Sequence, residues 1–188
     1  MKTVLISLAL ATGLGLCACN GGNSEKHEDT VDSAKDVNKA VKPVQADASN
    51  FAVEAANGGM MEVLLGKVAQ ENASSARVRA FGEMMVKDHT EAGNKLKDIA
   101  SSLNIALPDS VSDDSRKEID KLKKKKGKDF DKAYVDLMVK DHKDDIDDFK
   151  KEAEKGNDST VSKWAKNTLP VLEHHLMMSE DVQKNLEK

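Results

Sequence analysis

The chain has 188 residues, of which 39% are hydrophobic and 33% charged, with a formal net charge of −4 and only six aromatic residues. It lacks the long apolar stretches of a polytopic membrane protein, and its two cysteines exclude a scaffold held together by several disulfides. The abundance of Ala, Leu, Lys, Glu and Met, with only three prolines, favours helices over a β-sandwich.

The N-terminal residues predict export and lipid anchoring. Lys2 precedes an apolar stretch, residues 3–16, that is too short for a stable membrane-spanning helix. The sequence Leu16-Cys17-Ala18-Cys19 resembles the lipobox of bacterial lipoproteins, in which a small residue precedes the cysteine that is acylated. We therefore expect a signal peptide over residues 1–18 and a lipid on Cys19, which makes the membrane a partner. The alternative is a secreted protein that is cleaved nearby.

Residues 19–48 are expected to form a disordered tether between the lipid and the domain. The stretch contains glycines, serines and alternating charges but no aromatic residue, so it cannot bury enough apolar surface to offset its ordering entropy. A helix between Val31 and Val41 is the alternative. Asn20 stands where bacterial sorting systems place Asp for inner-membrane retention, which favours the outer membrane with the domain in the periplasm or at the cell surface.

Residues 49–188 show apolar residues at helical spacing. Four long amphipathic helices predict an all-α four-helix bundle with a short extra helix, rich in lysine, between helices two and three. The connection from helix two to helix three is long enough to cross the bundle, as in ferritin-like folds, or to fold over one end. The predicted long helices span about residues 50–72, 75–104, 129–155 and 159–186.

One glutamate and three histidines fall near the middle of the four long helices and on their inward faces. The phrase Met-Val-Lys-Asp-His occurs twice, ending at His89 and at His142. Because the midpoints of packed helices meet at one height, Glu62, His89, His142 and His175 are predicted to converge in the bundle centre. Asp88 and Asp141 lie one residue away from the inward direction and are predicted to orient the ligands.

Buried ionisable groups require partners, because an unpaired buried carboxylate costs several kcal/mol and an unsatisfied imidazole about 1–3 kcal/mol. Three solutions stay open: a bound metal ion, a closed Glu–His hydrogen-bond network, or a polar cavity with water or a ligand. Three histidines with one carboxylate suit zinc, copper, iron or nickel. A di-iron site is not predicted, since it needs Glu-x-x-His and Val86, Val139 and Leu172 occupy the glutamate positions.

The motifs also carry a family resemblance. The sequence from Phe51 to Glu62, the Met-Met-Val-Lys-Asp-His run ending at His89, and the Leu-Pro-Val-Leu-Glu-His-His-Leu run ending at Leu176 resemble the bacterial domain of unknown function 4142. That family is often labelled an outer-membrane protein and is related to ferritin-like bundles. The resemblance implies an all-α envelope protein whose signature glutamate is Glu62 and whose histidines are His89, His142 and His175. It implies no established reaction.

The sequence therefore predicts a lipid-anchored envelope protein whose buried Glu/His₃ layer binds a transition metal. The alternative is a metal-free structural or interaction module in which that layer is a hydrogen-bonded core network. A hydrolase or oxidase would need an open coordination position and access for a substrate, so no catalytic residue is predicted. After loss of residues 1–18, 28 basic residues stand against 33 acidic ones. This charge, without interleaved basic and aromatic residues, excludes a nucleic-acid partner.

Overall fold

The computed structural model describes residues 28–41 and 46–186, and within these ranges every regular element is a helix. The predicted signal peptide, the lipidation site Cys19 and the first residues of the predicted tether lie outside the described residues. None of the described helices combines the length and apolar character needed to cross a membrane. The helices are α1 (Thr30–Val41), α2 (Ala46–Asn72), α3 (Ala76–Leu103), α4 (Asp113–Lys123), α5 (Gly127–Lys155) and α6 (Ser159–Leu186).

The four long helices form a bundle of two antiparallel pairs, α2 with α3 and α5 with α6, joined by a connection that crosses the bundle. Ile105, just after α3, belongs to the same core cluster as Ala48 at the start of α2. At the other end of α2, the Asn72 side chain donates hydrogen bonds to the carbonyl oxygens of Lys123 and Lys125. The connection thus runs the length of α2, which confirms the ferritin-like arrangement and the short extra helix, α4.

Helices α2 and α3 approach each other closely at two glycines. A Cβ atom on Gly66 would lie 2.6 Å from the carbonyl oxygen of Gly82, and one on Gly82 would lie 2.8 Å from that of Gly66. Such separations are too short for any side chain. These two glycines therefore set how closely the helices pack and fix the relative height of their residues.

The N-terminus of α3 is capped by a residue of another helix. Ser75 is the N-cap residue, but its side chain forms no capping hydrogen bond to the described residues. Instead, buried Asp131 of α5 accepts hydrogen bonds from the backbone N–H groups of Ser74 and Ser75 and from the Ser74 hydroxyl. A carboxylate is favourable there, because the first N–H groups of a helix have no intrahelical acceptor. This Asp131 cap ties the two helix pairs together.

The prediction of a disordered tether over residues 19–48 is wrong for residues 30–41, which form α1, and for residues 46–48, which begin α2. Val31 and Ala34 are buried against Val53 of α2. Asn38 donates to the carbonyl oxygen of Ala106 and accepts from its N–H group, at 2.9 and 2.7 Å. The segment contributes few apolar groups, but the bundle supplies both an apolar surface and backbone partners. The folded unit therefore begins at α1.

The apolar core is divided by the histidine layer into two clusters. One contains Phe81, Phe130 and Tyr134, and the other contains Phe149 and Trp164. On each of the four long helices, the glutamate or histidine of the layer lies between residues of one cluster and residues of the other. On α6, Leu172 is buried in this core, whereas its neighbour Val171 is 36% exposed.

Candidate metal centre

The structure brings the four predicted residues together in one buried layer, each from a different long helix. His142 and His175 are fully buried, Glu62 is 1% exposed and His89 is 8% exposed. One ring nitrogen from each histidine lies within 4.8 Å of those of the other two, which is a spacing suited to a shared metal ion. Helix midpoints were the basis of this prediction, and the bundle places them at the same height.

Two of the histidines are oriented by acceptors on the outer side of their rings. His142 Nδ1 lies 2.9 Å from the carbonyl oxygen of Met138, one turn earlier in α5. His175 Nε2 lies 3.0 Å from Asp88 Oδ2 of α3. A carbonyl oxygen can only accept and a carboxylate accepts, so both ring nitrogens donate and carry the proton. Asp88 thus contacts a histidine, in an arrangement of the kind that orients metal-binding histidines.

A neutral imidazole carries one N–H proton. The hydrogen bonds to Met138 and Asp88 therefore leave the other ring nitrogen of His142 and of His175 without a proton. His142 Nε2 and His175 Nδ1 are 3.3 Å apart. In neutral rings both are acceptors, so their lone pairs face each other without a donor between them. Such a contact is unfavourable unless a cation or an additional proton lies within reach of both nitrogens.

His89 completes the layer from α3. Its Nδ1 lies 3.0 Å from Glu62 Oε2, and its other ring nitrogen, Nε2, is buried without a hydrogen-bond partner among the described residues. The second carboxyl oxygen of Glu62 lies 3.4 Å from His142 Nδ1. Glu62 therefore contacts the outer nitrogens of two rings. This geometry does not support its predicted role as a direct ligand and suits a group that orients His89 and His142.

Burial favours the neutral form of all these groups. It lowers the pKa of His89 well below its ordinary value and that of His142 to about 4, with further lowering from the neighbouring histidines. Burial also lowers the pKa of His175, although the hydrogen bond to Asp88 opposes this shift. The pKa of Glu62 is raised well above its usual range, first by burial and then by Asp145 and Asp141. Neutral imidazole is the form that binds metals.

A cleft lined by acidic residues leads to Glu62 from the side of α5. It has a volume of about 320 Å³. Asp145 is partly buried there, and burial followed by the charge of Asp141 raises its pKa to about 7. Asp145 lies three residues after His142 and therefore near the same face of α5. This spacing could have identified Asp145 from the sequence. The acidic residues of the cleft are Glu54, Glu62, Asp141, Asp144, Asp145 and Asp148.

Asp141, the other predicted orienting residue, forms no hydrogen bond to a histidine in the described part of the chain. Its nearest charged partner is Lys140, at 4.0 Å, and its Oδ2 atom is buried without a hydrogen-bond partner in residues 28–41 and 46–186. Burial raises the pKa of Asp141 to about 6. The structure therefore places Asp141 in the acidic cleft, while the backbone carbonyl of Met138 orients His142.

The methionines near the histidines lie in the apolar core. Met85 and Met138 are fully buried in the cluster that contains Phe81 and Tyr134. Core packing accounts for both positions. The nitrogens left for a shared ion are Nε2 of His142 and Nδ1 of His175, which lie 3.3 Å apart, and Nε2 of His89, which is buried without a partner among the described residues. We call these three atoms the inner nitrogens.

Comparisons with known proteins agree with this fold. The model of the family DUF4142, described as a domain of unknown function, matches residues 33–182. A DUF305 protein from Streptomyces coelicolor, described as secreted, has a similar solved structure with a TM-score of 0.64. The match is 17% identical and covers 76% of this chain and 95% of that one, so it concerns the fold alone. No curated protein matches the chain.

Proposed function

The chain belongs to the family of the domain of unknown function DUF4142, and we propose that it binds one transition-metal ion through His89, His142 and His175. The observation that carries this proposal is the 3.3 Å contact between the proton-free nitrogens of His142 and His175. A cation bound by both nitrogens removes their repulsion. It also gives a partner to the buried Nε2 of His89, which has none among the residues that the structure describes.

The donor set restricts the choice of metal. Three neutral imidazoles suit zinc, copper, iron or nickel and are a poor set for magnesium or calcium, which prefer oxygen ligands. An ion held by three protein ligands retains a position for water or another small molecule, and the chemistry that it supplies there is Lewis acidity or electron transfer. Glu62, Asp88 and the carbonyl of Met138 hold the outer ring nitrogens.

The acidic cleft supports a route for the cation. Carboxylates that line a cleft raise the local concentration of positive ions, and the cleft extends from exposed Asp144 and Asp148 to buried Glu62. Burial, followed by the neighbouring Asp carboxylates, raises the pKa values of Asp141 and Asp145, and a cation in the cleft would stabilise their charged forms. In this proposal the Asp residues of α5 deliver the ion, and the histidines retain it.

The proposal also includes the location of the protein in the cell envelope. A lipid on Cys19 would anchor the chain in the outer membrane, with its bundle in the periplasm or at the cell surface. Because α1 begins at Thr30, the segment between the lipid and the folded unit is about ten residues long. Metabolic labelling with a radioactive fatty acid tests this part: labelling of the native chain, with its loss in Cys19→Ala, is expected. Equal labelling of both chains would exclude Cys19 as the acylated residue.

Metal binding is tested by titration of the chelator-treated protein with Co²⁺, Zn²⁺, Cu²⁺ and Ni²⁺, and anaerobically with Fe²⁺. We expect one equivalent of at least one metal to bind, with Co²⁺ giving the absorption bands of a nitrogen-coordinated ion. His175→Ala removes an inner nitrogen and should abolish this binding. His174→Ala, a substitution of the exposed neighbouring histidine, is the matched control and should bind normally. Absence of stoichiometric binding for every metal would refute the proposal.

The second candidate function is a metal-free structural or interaction module, which requires a proton in place of the metal. The observation that favours it is the Asp88–His175 pair: a cationic His175 could donate to Asp88 and to His142 at the same time. Burial disfavours that cation, and it leaves His89 Nε2 without a hydrogen-bond partner in the described part of the chain. NMR titration of the His175 ring in metal-free protein discriminates the two cases. A ring that remains cationic at pH 7 supports the module, and a neutral ring supports the metal site.

A further inference from the structure

An apolar cavity of about 450 Å³ lies beside the metal centre, between α2, α3, α6 and the connection from α3 to α4. Buried Leu96, Leu172 and His89 belong to its inner wall, whereas exposed Lys97 and Arg116 mark its opening. A volume of this size is typical of small-molecule sites. It corresponds to about 15 non-hydrogen atoms if each occupies about the 30 Å³ that a water molecule takes up in the liquid.

Two glycines in the middle of helices keep this cavity open. A Cβ atom added to Gly58 of α2 or Gly93 of α3 would meet no atom within 4 Å, and both residues line the cavity. This contrasts with Gly66 and Gly82, where a Cβ atom would collide with the neighbouring helix. Glycine is unfavourable inside a helix, and here no helix contact requires it. The two positions therefore maintain empty space rather than close packing.

The cavity wall indicates what kind of molecule fits. Phe149 and Trp164, whose ring centres are 5.3 Å apart, form an aromatic part of the wall. The indole N–H of Trp164 is buried without an acceptor among the described residues. An anion would lose its hydration against this mainly apolar inner wall, because the cationic groups of the lining, Lys97 and Arg116, lie at the opening. An ammonium group would meet the indole N–H as a second donor. A neutral molecule with an acceptor oxygen avoids both conflicts.

We propose that this cavity is a binding site for a small, uncharged, mainly apolar molecule that carries an acceptor oxygen for the Trp164 indole. The ligand lies against Phe149 and the aliphatic wall and reaches towards His89. Binding needs the cavity and the indole and does not depend on the metal ion. The inference therefore goes beyond the proposed metal binding and can fail separately from it.

Trp164 is the only tryptophan of the chain, so its indole N–H gives a single resonance that reports directly on the cavity. The test uses ¹⁵N-labelled chain from residue 20 onward, which contains every described helix, without metal and then with it. Acetophenone is the neutral probe with an acceptor oxygen, ethylbenzene lacks that oxygen, and benzoate and benzylammonium carry charges. We expect a saturable downfield shift of the indole proton with acetophenone and at least tenfold weaker binding of the two charged probes.

The variant Gly93→Leu fills the cavity and should weaken acetophenone binding at least tenfold while leaving metal binding unchanged. Gly93→Ala is the matched control, because it makes the same backbone change but leaves most of the volume free. Three outcomes would overturn the inference: no saturable shift with acetophenone, tighter binding of a charged probe, or equal binding by both Gly93 variants. Loss of metal binding in the native chain, with acetophenone binding intact, would refute the proposed function alone.

Discussion

Two buried polar clusters connect the two helix pairs of this bundle, and they differ in whether their hydrogen bonds are complete. At the end of the bundle, Asp131 accepts three hydrogen bonds from Ser74 and Ser75. In the middle, His142 and His175 direct proton-free nitrogens at each other, and His89 Nε2 has no partner in the described structure. In the Asp131 cluster, which stabilises the fold, the hydrogen bonds are complete, whereas the histidine cluster leaves nitrogen lone pairs available to a ligand.

The largest expected effect is the stabilisation of the histidine layer by metal. Free metal at about 1,000 times its dissociation constant should raise the free energy of unfolding by about 4 kcal/mol. His142→Ala should abolish this increase, because it removes one of the inner nitrogens. Urea unfolding with chelator and with metal measures the difference, and His174→Ala should retain the full increase. If the His142→Ala protein gained as much as the native protein, the layer would not be the binding site.

The Asp131 cap should behave in the opposite way. Asp131→Ala leaves three donors without their acceptor and should lower the free energy of unfolding by about 3 kcal/mol. The loss should be the same with chelator and with metal, since the cap lies outside the donor set. Asp129→Ala, an exposed substitution in the first turn of α5, should cost less than about 1 kcal/mol. A loss for Asp131→Ala that metal reversed would contradict the distinction between the two clusters.

At Asp88, the effect of a side chain on metal affinity can be measured separately from its effect on stability. Asp88→Asn weakens the acceptor of the His175 ring and should lower metal affinity by about 10–100-fold. Because the side chain is partly exposed, metal-free stability should change little. Competition titration against a chromophoric chelator measures the affinity, with the exposed Asp98→Asn of the same helix as control. Unchanged affinity in Asp88→Asn would show that the carboxylate does not support the ligand.

A substitution in the acidic cleft should have the smallest effect on the free energy of unfolding, and this effect should depend on pH. Asp145 has its pKa raised from 3.8 to about 7, so between these values the native state binds more protons and stability falls as pH rises. His142, with its pKa lowered from 6.5 to about 4, has the opposite effect between pH 4 and 6.5. Replacing Asp145 alone separates its effect on the pH dependence of stability from that of His142. The groups that surround Asp145 are Glu62, Lys140, Asp141, Asp144 and Asp148.

Asp145→Asn should therefore be increasingly more stable than the native protein as pH rises from 4 to 7, by about 1–2 kcal/mol at pH 7 in the absence of metal. Urea unfolding at several pH values measures this difference. Asp147→Asn, at an exposed position of the same helix, should show no such trend. If the difference between Asp145→Asn and the native protein were constant across this range, the burial of the Asp145 carboxyl would not be reflected in its titration.

Much of the fold was predictable because helical periodicity is local. The four long helices and the crossing connection follow from the spacing of apolar residues and from chain length, and their observed ends lie within a few residues of those predicted. Helix α1 was not predictable in the same way. Its few apolar residues are insufficient for a stable isolated helix, and its partners, Val53 and the backbone of Ala106, are distant in sequence.

The sequence by itself determined that Glu62, His89, His142 and His175 share one layer, because residue spacing fixes both the face and the height of a helical side chain. Only the tertiary structure decided which ring nitrogens point inward and which are held by Glu62, Asp88 and the Met138 carbonyl. It also decided that Glu62 lies behind the histidines. These choices depend on rotamers and on contacts between helices, which no periodic pattern encodes.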